Sequence, residues 1–208
     1  MLKHQRQFWD MSNRIVLLIG GYGSGKTYIG ALKSLYMSYL NSPVPGMYVS
    51  PSHQLAVKTI IVTLKELCNR AGIDYTYNQQ RSEFIFHNWG GRIWLGSGDK
   101  PDSLRGPNIG WAVIDEPFIQ KREVFEQMIA RVRHPEAKKS QIYLTGTPES
   151  LNWGWVIAND PDMDIGIIQA STLDNPYLPD DYKQSLLQAY SEEQIEAYVH
   201  GKFVNLTQ

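Results

Sequence analysis

The chain has 208 residues, a formal net charge of −1, and 42% hydrophobic against 20% charged residues. This balance fits one globular domain with a sizeable core, or one domain with a small appendage, and excludes a generally basic nucleic-acid binder; any contact with DNA or RNA must be a local basic patch. The single cysteine, Cys68, excludes an internal disulfide framework and a cysteine-based zinc site.

In chain order, the opening "MLKHQRQFWD" has no apolar signal-peptide centre, and no later apolar run is long enough to span a bilayer. A cytosolic protein without a membrane partner is the expectation. "RIVLLI" (14–19) is a continuous apolar run, the mark of a strand buried on both faces. A helix is predicted from Lys26 to about Leu40, with Leu32, Leu35, Tyr36 and Tyr39 on its inner face and "NSPVPG" as its stop. "MYVS" (47–50) reads as a strand. Ser52 to Arg70 reads as one helix closed by Gly72, with Cys68 a small buried hydrophobe at helical spacing from Leu64, Leu67 and Ala71.

"IDYTYN" and "EFIFHN" read as strands, and "NWGG" turns the chain into "RIWLGS", so Glu83–Ser97 is a predicted hairpin. "WAVID" (111–115) is a buried strand, "VFEQMIARV" a short helix, "QIYLTG" (141–146) a strand and "DIGIIQA" (164–170) another. Two helices end the chain, the second opened by a capping box of Ser191 and Gln194 with Ile195, Tyr198 and Val199 facing inward. Strands alternate with helices and the central strands are apolar throughout, which predicts an α/β fold with a mostly parallel central sheet flanked by helices. A ligand on such a sheet belongs at the carboxyl ends of its strands.

One of those ends carries "IGGYGSGKTY" (19–28). Gly20, four residues, then Gly25, Lys26 and Thr27 satisfy the P-loop pattern, and the motif sits where it must, after a buried strand and before a helix. The glycines allow Gly20, Gly21, Tyr22, Gly23, Ser24 and Gly25 to turn successive N–H groups onto an anion, and the helix adds its positive end. Lys26 would reach the β- and γ-phosphates of ATP and Thr27 would hold Mg²⁺. "WAVIDE" ends in Asp115, which fits an aspartate bound to Mg²⁺ directly or through water, and Glu116, which fits the residue that activates water. "LTGTP" brings Thr145 and Thr147, whose hydroxyls would sense the γ-phosphate if that strand neighbours the other two. The fold class is therefore a P-loop NTPase of the RecA/ASCE-like kind, residues 1–170 forming the ATPase core and 171–208 a small C-terminal helical lid or linker.

With these motifs placed, the chain resembles the ATPase domain of the large terminase subunit of tailed bacteriophages. "GGYGSGKT" resembles its Walker A, "DKPDSLRGPNIGWAVIDE" (99–116) its segment leading into Walker B, "TGTPESLNWGW" its coupling motif, and "TLDNPYLPDDY" with "YVHGKFV" its C-terminal boundary. The resemblance implies ATP hydrolysis that drives double-stranded DNA into a procapsid in the host cytoplasm, with the portal protein and small terminase subunit as partners and a homo-oligomeric ring. It implies that Thr145, Gly146 and Thr147 couple hydrolysis to motion. Arg105 is similar to the finger that serves a neighbouring subunit's site, with pairing to a loop carboxylate such as Asp102 as the alternative. Gln5 resembles the glutamine that reads adenine, with Phe8 or Trp9 available to stack on the base.

The chain departs from that pattern in two places. Many terminases carry an arginine inside the phosphate loop; here the stretch is Gly21-Tyr22-Gly23-Ser24, so Arg105 in trans is the better candidate. The chain also stops at Gln208, where the family's first domain ends, so no nuclease activity is expected of it. Candidate DNA phosphate contacts are Arg70, Arg81, Arg92 and "RVRHPEAKK" (131–139). Three other readings compete. A two-lobed helicase does not fit, because the chain has room for one lobe. A kinase does not fit, because residues 149–208 contain no arginine for a lid. An ATP-binding switch with little turnover remains open.

Overall fold

Ile15–Gly20 forms strand β1 and is buried at every position. Its side chains alternate between two cores: Val16 and Leu18 enter one, Ile15, Leu17 and Ile19 the other. That split is the two-residue period of a strand covered on both faces. The structure, a computed structural model, describes residues 1–206. The other strands are β2 (Gly46–Ser50), β3 (Tyr75–Asn78), β4 (Glu83–Phe86), β5 (Gly91–Ser97), β6 (Ala112–Asp115), β7 (Ile142–Gly146) and β8 (Ile165–Ala170). They make one eight-stranded sheet in the order β3-β4-β5-β2-β6-β7-β1-β8. From β5 to β8 every neighbouring pair is parallel; β4 alone is antiparallel to both its neighbours, which builds the expected hairpin.

The helices are α1 (Lys3–Asp10), α2 (Lys26–Leu40), α3 (His53–Lys58), α4 (Ile60–Ala71), α5 (Arg122–Arg131), α6 (Trp153–Ala158), α7 (Asp180–Ala189) and α8 (Glu192–Tyr198). None among the described residues is long and apolar enough to cross a membrane. Cys68 is fully buried, and burial pushes its thiol up to about 11. The capping box of Ser191 and Gln194 is formed, and Gly72 closes α4 in the left-handed region at φ 64°.

Two expectations are corrected. The helix predicted over Ser52–Arg70 is two helices, broken at Thr59 with φ −121° and ψ −87°. Five β-branched residues follow one another from Thr59 to Thr63, and the Thr59 hydroxyl donates to Leu55 O at 2.8 Å, closing α3 with a side chain. The inner face of α2 is as expected at Leu35, which is buried, and at Leu32, which packs against the core, but not at the two tyrosines. Ile29, Gly30, Lys33, Ser34, Met37 and Ser38 are buried there, whereas Tyr36 and Tyr39 are exposed. Small residues let the helix approach the sheet closely, and the two serines satisfy their hydroxyls on Gly30 O and Leu35 O of their own helix. Helices α1 and α6 form in stretches too short to carry a clear period; α1 docks by burying Phe8 against Tyr143, ring centroids 5.4 Å apart.

Gly46 lies directly beneath the indole of Trp111, and a methyl group there would overlap the ring. Gly46→Ala should lower the free energy of unfolding by about 2 kcal/mol, measured by urea titration against the parent chain.

Candidate active site

Strand β7 lies between β1 and β6, with Thr145 in register with Leu18 on one side and Asp115 on the other. The carboxyl ends of these three strands are therefore level, and the phosphate loop, the acidic pair and the threonine strand open onto one crevice.

The loop is built as its glycines require. Gly23 (φ 73°) and Gly25 (φ 86°) hold left-handed conformations at the entry to α2. Gly21 has no space for a side chain, because Thr172 Oγ1 and the carbonyls of Tyr198 and Val199 crowd its Cα. The loop is also tied into the C-terminal segment by Gly21 N–H to Ala170 O (3.1 Å) and Tyr22 N–H to Tyr198 O (2.7 Å). Ser24 is fully buried and its hydroxyl donates to Gly21 O at 2.8 Å. Lys26 is buried and turns back over the loop, donating to Gly20 O at 3.0 Å and Gly21 O at 2.9 Å. Burial lowers its pKa, and the carboxylates of Glu116 and Asp115 oppose the shift. Thr27 is half-buried one residue on. Tyr22 packs on Tyr198 with ring centroids 5.2 Å apart, and burial followed by Glu149 pushes its phenol up to about 12.

Both carboxylates of the acidic pair are held by the threonine strand. Thr145 Oγ1 donates to Asp115 Oδ1 at 3.0 Å, and Thr147 N–H donates to Glu116 Oε2 at 3.0 Å. Burial, then the neighbouring Glu116, pushes the Asp115 carboxyl up to about 7. Glu116 adopts φ 45°, a left-handed conformation that costs a non-glycine residue free energy and is found where surrounding structure imposes it. Here Glu116 N–H is fixed to Thr145 O at 2.7 Å. The hydroxyls of Ser50 and Thr147 are buried without a partner, so the crevice holds unsatisfied hard oxygen donors. No group of three His, Cys, Asp or Glu among the described residues could cage a metal ion. A lone carboxylate with hydroxyls, completed by phosphate oxygens and water, suits Mg²⁺.

The sequence profile described as "Terminase large subunit, T4likevirus-type, N-terminal" matches residues 17–208. The chain belongs to this family. Among curated proteins, the PBSX phage terminase large subunit of Bacillus subtilis (strain 168) is 29% identical over 148 residues, covering 70% of this chain and 33% of its own length. Among solved structures, the large terminase of a thermophilic bacteriophage in complex with ADP aligns with a TM-score of 0.84 at 15% identity, over 98% of this chain and 53% of that one. The Thermus phage P74-26 large terminase ATPase domain aligns with a TM-score of 0.74 at 14% identity, over 96% and 92%. This terminase chain thus spans about a third to half the length of the first two relatives, and its fold is that of the terminase ATPase domains.

Other predicted residues of the terminase site are distributed differently. Arg105 is two-thirds exposed and meets only Asp102, at 3.3 Å and itself exposed, a pair worth little in water. Arg131, expected among the DNA candidates, is buried and holds the Arg105 loop instead, donating to Pro107 O at 3.0 and 2.8 Å and to Leu104 O. Arg92 pairs with Glu83 at 3.5 Å, and Arg133 donates to Asn108 at 2.8 Å. Gln5 has both ends of its amide engaged: Oε1 accepts from Leu2 N–H at 2.8 Å and Nε2 donates to Gly25 O at 3.2 Å. Phe8 is fully buried and unavailable for stacking. Trp9 packs on Tyr36 and does not line the cleft beside Gly25. That cleft, about 520 Å³, is lined by Leu2, Gln5, Tyr28, Arg70, Asn175 and Tyr177. Tyr28 and Tyr177 lie on an exposed helix face and in a turn, where periodicity carries no signal for them.

Because its carboxyl binds a proton more tightly in the folded state (about pH 7) than in the unfolded chain (3.8), Asp115 favours folding at low pH and loses that advantage as pH rises towards 7. In metal-free buffer, Asp115→Asn should match the parent chain near pH 4 and exceed it above pH 7 by on the order of 4 kcal/mol, read from urea melts across pH.

Proposed function

We propose that this terminase domain binds ATP with Mg²⁺ and hydrolyses it to drive double-stranded DNA into a procapsid. The observation that carries the reading is the meeting of Lys26 with Asp115 and Glu116 at adjacent strand ends, both carboxylates being held by the strand between them. The nucleotide complex with ADP, and a second with ATP-gamma-S, belong to the thermophilic bacteriophage terminase; they support a nucleotide in the corresponding crevice here.

In this reading the N–H groups of Gly23, Ser24, Gly25, Lys26 and Thr27 receive the phosphates, those of Gly21 and Tyr22 being bonded to Ala170 O and Tyr198 O. Lys26 exchanges the Gly20 and Gly21 carbonyls for phosphate oxygens, which are better partners for a buried ammonium. Thr27 and Asp115 would hold Mg²⁺, which neutralises phosphate charge when bound. Glu116 orients the attacking water and accepts its proton, and its bond from Thr147 N–H fixes the carboxylate for that task. Thr145, Gly146 and Thr147 transmit the change, since loss of the γ-phosphate alters what the two acids face. The base occupies the cleft between Tyr28 and Tyr177, with Gln5 holding the loop beside it. Residues 171–206 act as a lid on the loop. Double-stranded DNA, the portal protein, the small terminase subunit and a ring of copies in the host cytoplasm complete the motor.

Arg105, exposed and weakly paired, is free to serve a neighbouring copy. Its exposure also favours the second reading, that a solitary domain binds ATP with little turnover. ATPase specific activity should therefore rise with protein concentration, and Arg105→Ala should abolish that rise; a rate that is flat and unchanged by the substitution removes the trans role. Glu116→Gln should still bind ATP while its turnover falls by about 10²–10³, measured as phosphate release. Normal turnover in that variant assigns the base elsewhere.

A further inference from the structure

Four consecutive carbonyls of the phosphate loop each accept a hydrogen bond from a side chain outside it. Thr172 Oγ1 donates to Tyr22 O at 2.7 Å, and Asn175 Nδ2 to Gly23 O at 2.7 Å. The His4 ring meets Ser24 O through Nε2 at 2.8 Å, which requires the proton on that nitrogen, and Gln5 Nε2 donates to Gly25 O at 3.2 Å. All four side chains are buried. Two come from α1 and two from the segment after β8, so the loop is gripped by both ends of the chain.

A trans peptide is planar, and its C=O and the following N–H point in opposite directions. Holding the carbonyls of residues 22–25 outward therefore turns the N–H groups of Gly23, Ser24, Gly25 and Lys26 to the other side. The inward sense is visible at Ser24, whose N–H faces Gly21 O at 3.3 Å, the same carbonyl that receives Lys26 Nζ. Among the described residues, no protein acceptor takes the N–H of Gly23, Gly25 or Lys26. Glycine-rich loops are otherwise free to rotate such peptides away, and fixing them in advance removes an ordering cost from binding.

We propose that Thr172, Asn175, His4 and Gln5 form a collar of positioning residues that pre-orients the phosphate-binding N–H groups, and that the affinity of this site for polyphosphate depends on it. The inference rests on the nucleotide reading above and deepens it. It also gives Gln5 work on the backbone of the loop, and it makes the C-terminal segment a part of the phosphate site.

The test is Thr172→Val, which keeps the shape of a fully buried side chain and removes only its donor, beside Thr172→Ser, which restores the hydroxyl. Calorimetric titration with ADP and with inorganic tripolyphosphate should show both ligands weakened about tenfold by valine, as loss of one buried hydrogen bond implies, and recovered by serine. His4→Phe should weaken both ligands in the same ratio from the opposite end of the chain. Thermal melts of each variant report whether it is folded at the titration temperature. Unchanged affinity in folded Thr172→Val overturns the collar. So does weakening of ADP alone, which would locate the damage in the base cleft, or a serine variant as weak as the valine one. A parent chain that takes up neither ligand overturns the nucleotide reading itself, and the collar with it.

Discussion

Two adjacent carboxylates, Asp115 buried and Glu116 beside it, are the arrangement around which the rest of the molecule is organised. Burial, then the charge of Glu116, pushes the Asp115 carboxyl upward. The relief available within the chain is partial. It consists of the Thr145 hydroxyl, the Tyr48 phenol beside Asp115, one backbone N–H and the positive charge of Lys26. A site left in deficit of positive charge, with buried hydroxyls still unpaired, is what the proposed Mg²⁺ and nucleotide phosphates would relieve. The order β6-β7-β1 follows from the same requirement. Strand β7, inserted between β1 and β6, sets Thr145 against Asp115 and, one residue past its end, the Thr147 N–H against Glu116.

The sheet around that crevice is stiff for ordinary reasons. Its central strands are apolar on both faces, and each face has its own core. Helix α2 approaches closely enough to present Lys26 because its inner face is made of glycine, alanine and serine as much as of large side chains. Of the exposed tyrosines on its outer face, Tyr28 lines the cleft beside Gly25, whereas Tyr36 packs on Trp9 and Tyr39 on Trp89.

The periphery shows how charge is assigned by burial. Arg105 and Arg131 are neighbours in space and opposites in environment: one is in solvent with a weak partner, the other is buried and ties down the loop that carries the first. The ends of the chain behave similarly. Helix α1 and the segment after β8 are separated by nearly the whole sequence, yet both spend polar side chains on the same four carbonyls.

The phosphate loop, the acidic pair, the apolar strands and the hairpin were all legible along the chain, because each is a local pattern: glycine spacing, a two-residue or uninterrupted apolar period, a turn between paired strands. Residues 17–208 carry enough of these in order to define the family. What local pattern could not decide was the inner face of α2, the break at Thr59, the burial of Arg131, and the engagement of Gln5 with a carbonyl. Each of these depends on which surface a residue meets after the sheet has closed. A side chain's neighbours across 20 to 150 positions leave no period in the sequence, and it is those neighbours that settle whether a tyrosine is core or cleft, and whether an arginine is a strut or a free charge.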